Sequence, residues 1–162
     1  MDDAIVDKAR HLTDTIRVMT LAIVADGAPW SAPVYFVHRN AGFYFFSNEK
    51  SRHIRFARDK ATVAAAIFND ADQGDEIFGF QMSGTLARAG TLETPGVTNA
   101  YLSKFHFLKK AFGSQVLENP RFFLEKFKSR LYCFSPDIIY ISDNSRPSGK
   151  RLAFDLALLS PG

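Results

Sequence analysis

The chain has 162 residues, 46% of them hydrophobic, which is ample for a packed core and excludes a disordered or fibrous protein. Its net charge of +3 suits an anionic ligand without demanding nucleic acid. One cysteine, Cys133, excludes an internal disulfide framework and points to a reducing compartment. The start Met1-Asp2-Asp3 is acidic and no long apolar core follows it, so it does not read as a signal peptide. The longest apolar run, near residues 19–25, is too short for a membrane helix, and a cytoplasmic protein is expected. Sixteen phenylalanines are unusual at this length and imply aromatic surface at a dimer interface or around a flat ligand.

In chain order, Ile5, Ala9, Leu12 and Ile16 recur at helical spacing and predict a helix over residues 3–16. Two strand-like runs, 19–25 and 30–38, flank Asp26-Gly27 and predict a hairpin. Pro33 places the second run at an edge or bulge. After the turn Arg39-Asn40-Ala41-Gly42, residues 43–47 predict a third strand and a short helix follows to about Lys60. Residues 62–68 predict a fourth strand, whose alanines leave room for close packing above it. The loop 69–75 carries Asp70, Asp72 and Asp75 but lacks the calcium-loop pattern. A fifth strand spans 77–88, with Gly79 and Gly84 marking bends or close backbone approach.

Thr94-Pro95 predicts the N-cap and first position of a helix. Its apolar stripe is Val97, Tyr101, Phe105, Leu108 and Phe112, and Gly113 ends it. Asn119-Pro120 opens another short helix carrying Phe123 and Phe127. Residues 131–142 predict a sixth strand, with Pro136 at a bulge and a polar tail after it. The pattern is a mainly β protein with flanking helices (α+β), a six-stranded antiparallel barrel, read as a single domain over 1–162.

The chemistry concentrates in Ser47-Asn48-Glu49-Lys50-Ser51-Arg52-His53, where a strand meets a helix with Ser47 or Asn48 available as N-cap. Serine hydroxyls, basic side chains and free N–H groups together are what a phosphate requires. A solvated basic helix start is the other reading of the same residues.

Four features appear in order: Ala32-Pro33-Val34-Tyr35-Phe36, Glu49-Lys50-Ser51-Arg52-His53, Gly79-Phe80-Gln81-Met82-Ser83-Gly84 and Ala100-Tyr101. With them, the stretch from about Arg17 to Ser142 resembles the FMN-binding split-barrel proteins, the pyridoxamine-phosphate oxidase superfamily. Within it, the chain resembles a small, poorly characterised bacterial subfamily. The resemblance implies a split β-barrel of Greek-key type, and a homodimer with FMN at the subunit interface. It places the flavin phosphate at Ser47, Lys50, Ser51, Arg52 and His53, the ring along Ala32, Pro33 and Val34, and Gln81 near the flavin or the second subunit. With a flavin bound, the expected function is an oxidoreductase acting on a small molecule; the chain has no Gly-rich nucleotide fingerprint, so NAD(P)H is expected only as a transient reductant.

The chain departs from the oxidase in having Ser31 and Val37 where basic residues bracket the second-strand motif, and in lacking an Arg-rich C-terminal segment. His53 stands where many relatives carry Lys. Pyridoxamine-phosphate oxidation is therefore not expected, and a non-enzymatic flavin, deazaflavin or haem binder is the alternative. No catalytic residue is assigned: Tyr35, His38 and Lys150 each read equally well as structural. The scattered His11, His38, His53 and His106 make no metal site. Lysines interleaved with aromatics over residues 104–130 raise single-stranded nucleic acid as a lesser reading, but the helical stripe turns many of those rings inward.

Overall fold

A computed structural model describes residues 1–40, 42–57, 62–112, 115–119, 121–146 and 151–159. Helix α1 (Asp3–Thr15) begins where the Asp2 carboxylate accepts from the Ala4 N–H at 3.1 Å, and it buries Ile5, Ala9 and Leu12 on one face. Strands β1 (Val18–Ala25) and β2 (Ala28–Tyr35) form the expected hairpin. Asp26 and Gly27 both take positive φ, 54° and 75°, as a type I′ turn requires. Next come β3 (Val37–Arg39), β4 (Gly42–Asn48), α2 (Arg52–Phe56), β5 (Thr62–Phe68) and β6 (Phe78–Arg88). Helices α3 (Thr94–Lys104), α4 (His106–Phe112), α5 (Gln115–Glu118) and α6 (Phe122–Phe127) lead to β7 (Ser129–Asp143) and β8 (Leu152–Ala153).

All pairings are antiparallel, in the order β2-β1-β5-β6-β7-β4-β3, with β8 added on β7. Mainly β with flanking helices holds, but the strand count of six is corrected to eight among the described residues. The run 30–38 divides at Phe36, whose ring is fully buried and whose N–H donates to the Arg17 carbonyl at 3.1 Å as the last bond in register with β1, before the chain leaves to pair as β3 with β4. The polar tail supplies the extra two-residue β8. Pro33 lies on the terminal strand β2, where its missing N–H costs little.

Gly84 faces the Ser135 carbonyl and Pro136 so closely that a β-carbon would collide with backbone. There the β6–β7 register shifts, with Ser83 opposite Ile138 and Gly84 opposite Pro136, which is the bulge expected at that proline.

Three helix boundaries differ from expectation. The N-cap of α2 is Ser51, not Ser47 or Asn48, and the helix stops at Phe56; residues 58–61 lie outside the described residues. Glu93 caps α3, so Thr94 and Pro95 are already helical. The single helix expected to run to Gly113 breaks at Phe105 (φ −112°, ψ 73°). Phe105 drops into a buried position against Tyr35 and Tyr101, while Lys104 donates to the Thr13 carbonyl of α1 at 2.7 Å. These tertiary contacts outweigh one more helical turn. Gly113, Pro120 and residues 147–150, including Lys150, lie outside the described residues.

Two apolar clusters result. One fills the curled sheet beneath α1, with Phe36, Phe43, Phe45, Phe80 and Phe134 at its centre. The other lies on the opposite side of β4, under α3 to α6. Strand β4 serves both, Phe43 and Phe45 facing the barrel and Tyr44 and Phe46 facing the helices. That double burial explains its unbroken apolar run. No described helix is long and apolar enough to cross a membrane.

Candidate functional site

The buried Tyr101 hydroxyl is the hinge of the site. It donates to the Tyr35 carbonyl of β2, lies 3.3 Å from the Tyr44 carbonyl, and accepts from the Phe46 N–H of β4 at 3.3 Å. It thus bridges β2 and β4, which share no ladder. Burial pushes its pKa far above the usual phenol range, so it stays a neutral donor.

Beside this bridge opens a cavity of about 630 Å³. Its floor is Pro33, Val34 and Tyr35 of β2, and its aromatic walls include Phe46, Phe105, Phe107, Phe123 and Phe127. Phe46 and Phe123 stack with centroids 3.8 Å apart, giving one flat wall. Ser47, His53 and Ser129 supply polar groups to an otherwise apolar lining.

The polar end is compact. The Ser47 hydroxyl lies 2.8 Å from His53 Nε2 and 3.2 Å from the Ser51 hydroxyl, which itself donates to the Asn48 carbonyl at 2.6 Å. Ser51 is also 3.4 Å from His53 Nε2, closing a triangle. Burial lowers the His53 pKa, so the imidazole is neutral near pH 7. Ser47 is one of few buried polar residues in the described chain.

Of the residues singled out in the sequence, Pro33, Val34, Ser47, Ser51 and His53 come together here. Arg52 turns away. Its guanidinium stands 4.5 Å over the Trp30 ring, 3.7 Å from the Asp26 carboxylate and 3.5 Å from the Ala25 carbonyl, closing the β1–β2 hairpin. Lys50 is exposed, and its backbone N–H donates to the Asn48 side chain at 2.8 Å. Ala32 is buried inside the sheet opposite Leu21.

Gln81 lies on the outer sheet face, in the row Pro33–Thr20–Ala66–Gln81–Tyr140. Three strand spacings put it roughly 14 Å from Pro33. Of the residues without an assigned role, Tyr35 lines the cavity while His38 sits on β3 against Phe43.

Sequence reasoning counted Arg130 only among the basic residues of the nucleic-acid reading; in the structure it pairs across from Ser47 and donates to Glu49 at 2.8 Å. It read the phenylalanine excess as aromatic surface for a dimer interface or a flat ligand, but did not say which rings wall the cavity.

No family model matches the sequence. A UPF0306 protein of Citrobacter koseri is 26% identical over 91 residues, 55% of this chain and 62% of that protein. The match therefore spans less than two thirds of the length of the curated relatives. Solved structures agree over far more of the chain. A heme binding protein from Mycobacterium smegmatis has a TM-score of 0.68 at 16% identity, covering 92% of this chain and 57% of that one. A protein from Clostridium acetobutylicum, related to general stress protein 26 and placed in the pyridoxinephosphate oxidase family, has a TM-score of 0.64 at 10% identity, covering 99% and 100%. This chain has the split-barrel fold. A FAD-binding protein from Mesorhizobium loti shares the split barrel with a TM-score of 0.58 at 17% identity, covering 87% and 94%. Identities this low establish the fold and nothing finer. Within the split barrel, the aromatic cavity lies where β2, β4 and the inserted helices meet.

Proposed function

We propose that this protein binds a flavin phosphate, FMN, in the aromatic cavity. The observation that carries the reading is one cavity joining a hydroxyl–imidazole triangle to flat aromatic walls and to an edge strand. The volume, about 630 Å³, is in the range of cofactor sites. Ser47, Ser51 and His53 would hold the phosphate. The backbone of Pro33, Val34 and Tyr35, on a strand with one unpaired edge, would bond the ring. Neighbouring split barrels whose names record FAD or heme binding support a flat, conjugated ligand. Haem is the weaker reading, since the cavity's imidazole already directs its Nε2 at Ser47.

When bound, the flavin supplies two-electron chemistry to a small substrate; the chain's own residues bind it, orient it and exclude water. NAD(P)H is the natural visiting reductant. Pyridoxamine phosphate is not the expected substrate. The dimer is part of the proposal. Val18, Val24, Tyr35, Phe68, Ile138 and Tyr140 are exposed on the sheet strands, and a second copy covering them would also meet Gln81.

Titration with FMN, followed by flavin fluorescence and by the thermal midpoint, tests the reading. Saturable binding with a raised midpoint is expected, and no binding with no shift would overturn it. Sedimentation at micromolar concentration tests the dimer, and a monomer would remove it.

A further inference from the structure

The cations named by the sequence at the strand-to-helix junction are directed elsewhere. Arg52 is held by Asp26, the Ala25 carbonyl and the Trp30 ring. Lys50 is exposed. Arg130, the neighbour of Ser47 across the β4–β7 pair, donates to Glu49. Lys128, just before β7, donates to the Glu125 carbonyl at 3.3 Å. Inside the triangle the ionisable group is His53, within hydrogen-bond reach of both hydroxyls.

We infer that His53 takes up a proton when a phosphate enters the Ser47–Ser51 cradle, so that this site binds its anion together with H⁺. The inference rests on the flavin-phosphate reading. The Ser51 hydroxyl gives its hydrogen to the Asn48 carbonyl, leaving oxygen lone pairs toward Ser47 and His53. A neutral imidazole and these hydroxyls satisfy one another without net charge. A dianionic phosphate changes the balance. It needs donors, and an imidazolium supplies a charged N–H where the neutral ring offers at most a dipole. The surrounding apolar lining strengthens that charge pairing and disfavours an uncompensated anion. Burial, which favours the neutral ring, is overcome by the adjacent negative charge. Lysine at this position would bring a permanent charge; histidine makes the charge conditional on the ligand.

The test compares FMN with riboflavin, which lacks the phosphate, by calorimetry in buffers of differing ionisation enthalpy between about pH 7 and 8.5, where the phosphate stays largely dianionic. Uptake approaching one proton per FMN and none with riboflavin is expected. The preference for FMN should then fall by up to about tenfold per pH unit as pH rises. His53→Lys should bind FMN without proton uptake and with a flat preference. His53→Gln should lose most of the preference for FMN over riboflavin. Preferred binding of FMN with no proton uptake in the wild type would overturn the inference and leave the phosphate cradle standing. FMN binding no tighter than riboflavin at every pH would overturn the cradle, and the proton with it.

Discussion

Inside the barrel, Phe36, Phe43, Phe45, Phe80 and Phe134 are sealed from solvent, packed among aliphatic side chains and against other buried rings. On the helical flank the rings also pack on one another, but Phe107 and Phe127 remain 51% and 42% exposed around a cavity. The same residue type thus serves two ends. A ring enclosed on every side contributes its full transfer free energy to folding. A ring left open on one face holds that energy in reserve for a ligand with a flat surface of its own. The flank is assembled from short helices interrupted at Phe105, so its rings are set by tertiary contacts and not by one continuous helix.

The division can be broken most forcefully from the barrel side. Phe45→Ala should cost about 3–5 kcal/mol of folding stability, measured by chemical denaturation. A loss under about 1 kcal/mol would mean that the barrel interior is not the stabilising core. Tyr101→Phe probes the seam between the two regions. It leaves the Tyr35 and Tyr44 carbonyls without the hydroxyl, and about 1–3 kcal/mol should be lost, with slackened ligand binding as the bridge from β2 to β4 loosens.

Phe107→Ala tests the flank itself. Stability should change by no more than about 0.5 kcal/mol, because the ring is half exposed, whereas flavin affinity should fall in the same titration. Equal damage to folding and binding would erase the contrast. The smallest effect is at His38. Its Nε2 is buried without a hydrogen-bond partner, and burial lowers its pKa despite help from the Asn40 backbone and Asp14. The unfolded imidazole therefore takes its proton first as pH drops, so its contribution is present above about pH 6.5 and is lost below it. Burial acts on His53 in the same sense. Thermal midpoints of His38→Phe should fall less steeply from about pH 7 to 5 than those of the wild type. An unaltered slope would show that His38 titrates normally.

Much of the fold was legible because its signals are local. Asp26-Gly27 can turn a hairpin only one way, Pro33 confines its strand to an edge, and Pro136 opposite Gly84 marks a bulge. The breaks at Phe36 and Phe105 were not legible. Each is made by a large ring finding a buried place whose walls include distant segments, Lys104 for Phe36 and Tyr35 for Phe105. The site divided in the same way. Ser47, Ser51 and His53 lie within seven consecutive residues, so the junction could bring them together, and it does. Arg52 has the same address in the sequence and a different one in space, because Trp30 and Asp26 offer its guanidinium a π-face and a carboxylate.

By itself, then, the sequence determined a β-rich fold, the hairpin, the strand-to-helix junction and an excess of aromatic rings. Which rings close into a core and which stay open around a cavity was decided only by the tertiary structure. So were the charges that remain near Ser47. Burial and side-chain direction depend on what the rest of the chain packs against each residue, and no local pattern carries that information.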